Sequence, residues 1–227
     1  MTEAIHVGLM VPSNNTTFDH ELRVLLPAGS RCTALHIPRG KGLLTPATLP
    51  AYKGEALALA AQFACIDVDV VAYGCTAAGF IDGPAGDAQL ARELAAVTGK
   101  RVVTTARSMV LGLQEIGAKQ IALVTPYLDA VNQQLKAFLA DGGIEVRRFN
   151  SFFAPDVDAL GRIDSTAVAR LARETMSAEC DAMFVACTQL PTADILDALR
   201  AEFGRPVLSS IWATAQQVMR ALSAQAA

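Results

Sequence analysis

One segment of this chain occurs twice, and that repeat constrains the fold more than any other feature. Residues 69–76 read DVVAYGCT and residues 181–188 read DAMFVACT, so Asp, Cys and Thr coincide after a shift of 112 positions. In each copy an apolar run ends at the Cys-Thr pair, which predicts a buried strand followed by a loop. The chain is therefore expected to contain two copies of one structural unit.

Two further landmarks flank this segment in the same order in both halves. Residues 6–12 and 120–126 are apolar runs that each end at proline. Residues 99–103 and 204–208 each begin with glycine and a basic residue and then become apolar. Three matched landmarks in one order indicate a duplicated α/β unit.

Short apolar runs alternate with longer Ala/Leu-rich segments, a pattern typical of parallel strands joined by crossover helices. The predicted fold class is α/β, with two similar Rossmann-like parallel-sheet subdomains related by a pseudo-two-fold axis and an active site in the cleft between them. The approximate lobes are 1–104 with a C-terminal helix 211–227, and 105–210. The predicted strands lie near 5–11, 32–37, 69–74, 101–104, 120–124, 144–149, 182–186 and 206–209. The predicted helices lie near 16–26, 48–65, 85–97, 106–116, 128–141, 165–177, 192–203 and 211–223.

Composition and charge exclude several classes of function. The chain has 227 residues, 52% of them apolar, yet no apolar run reaches the ~18 to 20 residues that a bilayer-spanning helix needs. The N-terminus lacks the features of a secretion signal, so a cytoplasmic location is predicted. With a net charge of −3 and 19 scattered basic residues, neither a nucleic acid nor a membrane surface is an expected partner, which leaves a small ligand.

Neither a metal nor an organic cofactor is predicted. Five cysteines without an export signal indicate free thiols in a reducing compartment. Their spacing contains no Cys-x-x-Cys pair and no nearby His cluster, as a zinc site would require. No Gly-x-Gly-x-x-Gly follows a strand, so a nicotinamide or flavin cofactor is not indicated.

The two Cys-Thr pairs carry the strongest functional signal. Both lie at the carboxyl ends of predicted parallel strands, where ligands collect and helix N-termini offer unpaired N–H groups. If the halves pack about a two-fold axis, Cys75 faces Cys187 across one cleft. A helix N-terminus lowers a thiol pKa, so each cysteine is a candidate nucleophile or base. Thr76 and Thr188 are candidate hydrogen-bond donors to a carboxylate. A single strand-end cysteine is usually inert core, but the repeat reverses that preference.

Two other loops at predicted strand ends hold candidate ligand-binding residues. The loop 12–17 opens a helix, and the Asn14 amide can donate two hydrogen bonds to a carboxylate without adding charge. In the second half, Tyr127 follows the proline that ends the strand and offers a phenol donor. The competing interpretations are a simple helix cap for the loop of Asn14 and a satisfied hydroxyl for Tyr127.

The remaining reactive side chains are assigned to packing or to the surface. Cys32, Cys65 and Cys180 are expected to pack, and the three histidines share no metal-ligand spacing. Residues 39–42 read RGKG but lack the order of a phosphate-binding loop. We interpret the 39–46 segment as a flexible loop or lid.

Together these segments resemble the aspartate/glutamate racemase superfamily, and within it the branch of maleate cis-trans isomerases and arylmalonate decarboxylases. The resemblance spans nearly the whole chain and is sharpest at VPSNNTT (11–17), at VTPY (124–127) and at the cysteines Cys75 and Cys187. It implies two pseudo-symmetric α/β subdomains and the need for neither metal nor organic cofactor.

The resemblance also assigns roles to residues. Asn14 and Tyr127 match carboxylate-binding residues of maleate isomerases, and Cys75 and Cys187 match their catalytic pair. In the implied reaction the Cys75 thiolate adds to the double bond of maleate, the central bond rotates in an enediolate-like intermediate, and elimination releases fumarate. Cys187 serves as proton donor or acceptor. The family places an asparagine in a second-half loop, where the nearest candidate here, Asp156, is a departure.

A second departure leaves other activities open. The segment 76–80, TAAGF, is closer to arylmalonate decarboxylases, in which the threonine and following residues form a carboxylate pocket, so Thr76 and Ala77 are expected to bind substrate. Those decarboxylases carry glycine in place of Cys75, and two thiols favour isomerisation or racemisation. A maleate isomerase is the leading prediction. The alternatives are an amino-acid racemase, suggested by CTQLP at 187–191, an arylmalonate-type decarboxylase, and a two-lobed carboxylate-binding protein without turnover. Related enzymes imply a homo-oligomer.

Overall fold

Two parallel four-stranded sheets form the framework of the molecule. A computed structural model describes residues 3–40 and 42–223. The strands are β1 (His6–Pro12), β2 (Arg31–Ile37), β3 (Val70–Tyr73), β4 (Arg101–Thr104), β5 (Gln120–Thr125), β6 (Glu145–Ser151), β7 (Ala182–Val185) and β8 (Val207–Ser209). The order is β2-β1-β3-β4 in one sheet and β6-β5-β7-β8 in the other, with all pairs parallel. The predicted α/β duplication is confirmed, since both halves have the same topology.

Helices connect consecutive strands in both halves. They are α1 (Phe18–Leu25), α2 (Leu49–Ala60), α3 (Thr76–Phe80), α4 (Gly83–Thr98), α5 (Thr105–Glu115), α6 (Asp129–Asp141), α7 (Val157–Gly161), α8 (Ser165–Thr175), α9 (Leu196–Phe203) and α10 (Ser210–Ser223). A 3₁₀ turn, Ala61–Cys65, extends α2. Among these described helices none combines the length and the apolar character needed to cross a membrane.

Three elements differ from the predicted pattern. The helices α3 and α7 were not predicted, because five residues are too few for a helical period to register. The helix α9 begins at Leu196 rather than near 192, and residues 188–195 form turns instead. This late start matters because those turns follow the second Cys-Thr pair.

The repeated aspartates tie together the amino ends of each sheet. Asp69, just before β3, accepts a hydrogen bond of 2.7 Å from the His6 N–H at the start of β1. Asp181, just before β7, accepts bonds of 2.8 Å from the N–H groups of Lys119 and Gln120 at the start of β5. The first matched residue of the repeat is therefore structural.

The repeated glycines end helices. The backbone of Gly99 after α4 has φ of 65° and that of Gly204 after α9 has φ of 57°, both in the left-handed region. A side chain is disfavoured there, which is why helices commonly stop at glycine. Each glycine thus separates a helix from the last strand of its sheet.

The buried core extends through both halves. The larger cluster of buried side chains contains residues of both sheets, including Met10 of β1 and Phe184 of β7. A smaller cluster joins β1 and α1 to the buried face of α10, so the last helix packs against the first sheet. The division into lobes 1–104 with 211–227, and 105–210, stays a prediction, and residues 224–227 lie outside the described part of the chain.

Candidate active site

Every residue predicted for the site lines one cavity at the carboxyl ends of the two sheets. The cleft holds about 520 Å³ of space between atoms, including open solvent at its mouth. The predicted residues that line it are Asn14, Cys75, Thr76, Ala77, Tyr127, Cys187 and Thr188. Arg39, Leu43 and Leu44 also line it. The folded chain therefore brings together loops that are more than a hundred residues apart.

Cys75 is placed by a close approach between β3 and α1. It is buried, has an extended backbone and stands directly before α3. A Cβ atom on Gly74 would lie 2.5 Å from the ring of Phe18 and 2.8 Å from the carbonyl oxygen of Met10. Only glycine allows this packing, which brings the end of β3 against α1 and directs the chain into the short helix.

Cys187 has a different backbone setting. Its φ of 118° lies in a region that side chains rarely adopt, and such strain typically costs about 1–3 kcal/mol and is concentrated at functional sites. The N–H of Cys187 donates a 3.0 Å hydrogen bond to Oγ of Ser210, the first residue of α10. Turns, not a helix, follow this cysteine. The prediction of a helix N-terminus is therefore wrong for Cys187.

The thiol of Cys187 is held in its neutral form. Burial raises its pKa above the ordinary thiol value, because a thiolate would lose its hydration. The N–H of Gln189 and the phenol of Tyr127 donate toward the sulfur and offset part of that rise, while the nearby Cys75 adds to it. The predicted lowering of the pKa is thus wrong for Cys187. A protonated thiol is suited to giving a proton.

Tyr127 presents a neutral phenol to the cavity. Its carbonyl oxygen accepts hydrogen bonds of 2.7 Å from both Asn132 and Ser151, and its ring meets Phe80 edge-on at 5.6 Å between centroids. Burial raises the phenol pKa well above its ordinary value. The hydroxyl lies beside Cys187, but it makes no hydrogen bond of good geometry within the described residues. The competing interpretation, a hydroxyl satisfied by the protein, is not supported.

Thr188, in the second half, is hydrogen-bonded to two residues of the first half. Its hydroxyl donates a 2.8 Å hydrogen bond to the Gly74 carbonyl and accepts one of 2.9 Å from the Asn15 amide. Beside it, the Gln189 side-chain oxygen accepts a 3.1 Å bond from the Thr16 N–H. Because the Thr188 proton is committed to Gly74, this hydroxyl holds the loops together and has no proton for a ligand.

Ser210 connects the loops of the two cysteines. Its hydroxyl oxygen, which accepts the Cys187 N–H, also lies 3.4 Å from the hydroxyl of Thr76, the first residue of α3. Asn14 is half-buried, and its amide makes no hydrogen bond to another residue in the described part of the chain. Thr76 and Ala77 are buried in the cavity wall.

Sequence reasoning missed Ser210, Arg39 and the leucines that line the cavity. Arg39 was placed in a flexible loop or lid, of which Lys41 lies outside the described residues. A signal for Arg39 was present, however. β2 pairs with β1, so residues that follow β2 reach the same carboxyl edge as the loop of Asn14.

The other cysteines and Asp156 are not among the residues that line the cavity. Cys32 and Cys180 are buried as expected, and burial raises the pKa of Cys32 to about 11. Cys65 is exposed, so the expectation that it packs is wrong. Asp156 caps α7 by accepting a 2.7 Å hydrogen bond from the Ala159 N–H. Among the described residues, no group of three His, Cys, Asp or Glu side chains is arranged to hold a metal ion.

Comparisons with known proteins agree with this geometry. A family model described as arylmalonate decarboxylase matches residues 7–227. The maleate isomerase of Geobacillus stearothermophilus is 26% identical over an alignment that covers 98% of this chain and 94% of that protein. This similarity therefore extends over both halves of the chain.

Two solved structures share the whole fold. A variant of the maleate isomerase Iso from Pseudomonas putida S16 with maleate matches with a TM-score of 0.90 and 26% identity, over 97% of this chain and 93% of that chain. A cysteine-to-serine variant of the Nocardia farcinica maleate cis-trans isomerase with a covalently bound succinylcysteine intermediate matches with a TM-score of 0.89 and 26% identity, over 97% and 94% of the two chains.

Proposed function

The chain belongs to the arylmalonate decarboxylase family, and we propose that within this family it is an isomerase that converts maleate, or a closely similar small dicarboxylate, from the cis to the trans form. The observation that carries the proposal is that Cys75 and Cys187, from different sheets, line one cavity. Maleate isomerases match nearly the whole chain, and a variant of one of them carries a covalently bound succinylcysteine intermediate.

The proposed reaction begins at Cys75. A lone pair of its thiolate forms a bond to one alkene carbon of maleate, and the π electrons move into the carboxylate on the other carbon as an enediolate. The former double bond is now single and rotates. Reversal of the addition then expels the thiolate and releases fumarate, so the substrate and product have the same atoms and charge.

Cys187 acts as the proton donor and acceptor in this scheme. Because burial keeps its thiol protonated, it can deliver a proton to the enediolate carbon and take one back before elimination. The protonated adduct is a succinylcysteine, the species present in the Nocardia farcinica enzyme. The nucleophile is assigned to Cys75 because this thiol stands directly before α3, whereas Cys187 has a strained backbone and is followed by turns.

One carboxylate is held by neutral donors that line the cavity. The Tyr127 phenol and the Asn14 amide have no hydrogen bond of good geometry among the described residues, and we assign both to the same carboxylate. Donors preorganised in this way become more valuable as negative charge develops on the enediolate. Thr76 and Ala77 form the adjoining wall at the start of α3, and Thr188 acts through the hydrogen bond that it makes to Gly74.

Proton NMR of the purified protein in deuterated buffer tests the proposal, with maleate, aspartate, glutamate and phenylmalonate supplied separately under reducing conditions. We expect the maleate vinyl signal to be replaced by that of fumarate. Unchanged maleate contradicts the proposal; exchange of an α-proton with racemisation would instead identify a racemase, and release of carbon dioxide a decarboxylase. Replacing the exposed Cys65 by serine is the control for a thiol outside the cavity, and it should leave the rate unchanged.

Three broader expectations stay predictions. They are independence from metals and organic cofactors, a cytoplasmic location, and assembly into a homo-oligomer. Activity after dialysis against a chelator, cell fractionation and sedimentation analysis check them in turn.

A further inference from the structure

The loop after β2 places the positively charged side chain of Arg39 at the cavity. Arg39 is the one charged side chain among the described residues that line the cavity. The remaining described lining is apolar or carries neutral hydroxyl, amide and thiol groups. A dicarboxylate brings two negative charges into this space, and burying a charge is costly unless it is paired. The neutral donors Asn14 and Tyr127 can serve one carboxylate, which leaves the other without a cationic partner unless Arg39 provides it.

The Arg39 guanidinium lies near an aromatic ring, and its Nε lacks an acceptor among the described residues. Its central carbon lies 6.0 Å from the ring centroid of the buried Tyr52, a cation–π arrangement. Nε of Arg39 is buried and has no hydrogen-bond partner among the described residues. A buried donor without an acceptor is unfavourable, and a ligand oxygen would relieve that cost.

The charge of Arg39 affects the pKa values of groups in and around the cavity. Burial raises the pKa values of the Cys187 thiol and of the Tyr52 and Tyr73 phenols, and the guanidinium partly opposes that rise in all three. Two of these groups belong to different halves of the molecule, since Tyr73 ends β3 and Cys187 follows β7. Because Arg39 lines the cavity and its charge acts on groups of both halves, its guanidinium can pair with a ligand held between them.

We propose that Arg39 determines specificity by pairing with the second carboxylate of the substrate, so that the site prefers dianions to otherwise similar monoanions. This inference rests on the proposed function for the identity of the substrate. The same loop carries Leu43 and Leu44 into the cavity.

Isothermal titration calorimetry tests the inference with succinate, a saturated dianion that cannot undergo thiol addition, and succinamate, its monoamide. In the wild-type protein succinate should bind more tightly. In Arg39→Met we expect succinate to lose about tenfold or more in affinity, as for loss of a charge-assisted hydrogen bond. Succinamate should lose less, because it can turn its single carboxylate toward Asn14 and Tyr127. The ratio of the two dissociation constants should therefore fall.

Two further variants make the result decisive. Arg39→Lys retains the charge and should restore most of the preference for succinate, whereas Arg170→Met removes an exposed charge on α8 and should change neither affinity. Equal weakening of both ligands by Arg39→Met would leave the ratio of dissociation constants unchanged and would overturn the inference, since Arg39 would then only support the loop through Tyr52. Because succinate binding is measured without turnover, this result stands apart from the maleate experiment: fumarate formation with an unchanged ratio would defeat only the inference about Arg39.

Discussion

The loops of Cys75 and Cys187 occupy equivalent places in the two halves, yet their surroundings differ. Cys75 follows Gly74 on an extended backbone and leads directly into α3. Cys187 has a φ of 118° and is followed by turns. Duplication explains why both thiols reach one cavity. The residues that are not repeated explain why the two thiols have different surroundings.

Equivalent hydroxyls at the next strand show the difference most directly. Thr105 follows β4 and Ser210 follows β8, one residue beyond the paired strand ends of each half. The Ser210 hydroxyl accepts the N–H of Cys187, whereas the Thr105 hydroxyl donates to the carbonyl of Tyr73. The same position in the duplicated unit thus supports the cysteine backbone in one half and the preceding strand in the other.

The largest effect is expected from Cys75→Ser. If Cys75 is the nucleophile, its loss removes the covalent pathway, and fumarate formation should fall by more than about 10⁴-fold, as for loss of a nucleophile in other enzymes. No substrate adduct should form on any cysteine. The NMR assay and intact-protein mass spectrometry measure these two outcomes. An adduct on Cys187 in this variant would reverse the assignment of the two thiols.

Cys187→Ser should separate the two roles. Loss of a proton donor typically costs about 10²- to 10⁴-fold, so the turnover number should fall less than in Cys75→Ser. The nucleophile remains, and mass spectrometry after incubation with maleate should find a maleate adduct on Cys75. Equal losses in the two variants, with no adduct in either, would remove the distinction between nucleophile and acid.

The sequence was sufficient to predict the order of strands and the residues that follow their carboxyl ends. Repeated strands that end at Cys-Thr pairs predict which residues meet at the carboxyl edge, and Asn14 and Tyr127 follow from the same rule. The backbone of Cys187 could not be predicted, because its positive φ occurs together with a hydrogen bond to a hydroxyl of α10 that is distant in sequence. Cys65 was misplaced because the buried positions of this helix, such as Ala60 and Phe63, leave residue 65 on the opposite, exposed side, which the Ala/Leu-rich sequence does not reveal.

Ser210→Ala tests whether the backbone of Cys187 needs its partner. The variant leaves a buried N–H without an acceptor, which should cost about 1–3 kcal/mol of stability. Displacement of the thiol should lower the turnover number by about 10- to 100-fold, since small errors of position are costly in catalysis. Thermal unfolding and steady-state kinetics measure both effects.

Thr105→Ala is the matched control for Ser210→Ala, because it removes the equivalent hydroxyl of the other half. It should lower the melting temperature but retain most of the turnover number. If Thr105→Ala reduces turnover as strongly as Ser210→Ala, the two hydroxyls act alike and the asymmetry between the halves has no bearing on the reaction.

The smallest effect concerns the pH profile. Burial raises the pKa of Cys187, so the alkaline decline of kcat/KM, which reports loss of its proton in the ligand-free protein, should lie above the ordinary thiol value of about 8.5. The Tyr127 phenol donates toward this sulfur and so stabilises the thiolate. In Tyr127→Phe that stabilisation is lost, the pKa of Cys187 rises further, and the decline should move to higher pH. Tyr52→Phe is the control, because the Tyr52 phenol lies beside Cys75. A shift to lower pH in Tyr127→Phe, or equal shifts in both variants, would show that the proton lost in this range does not belong to Cys187.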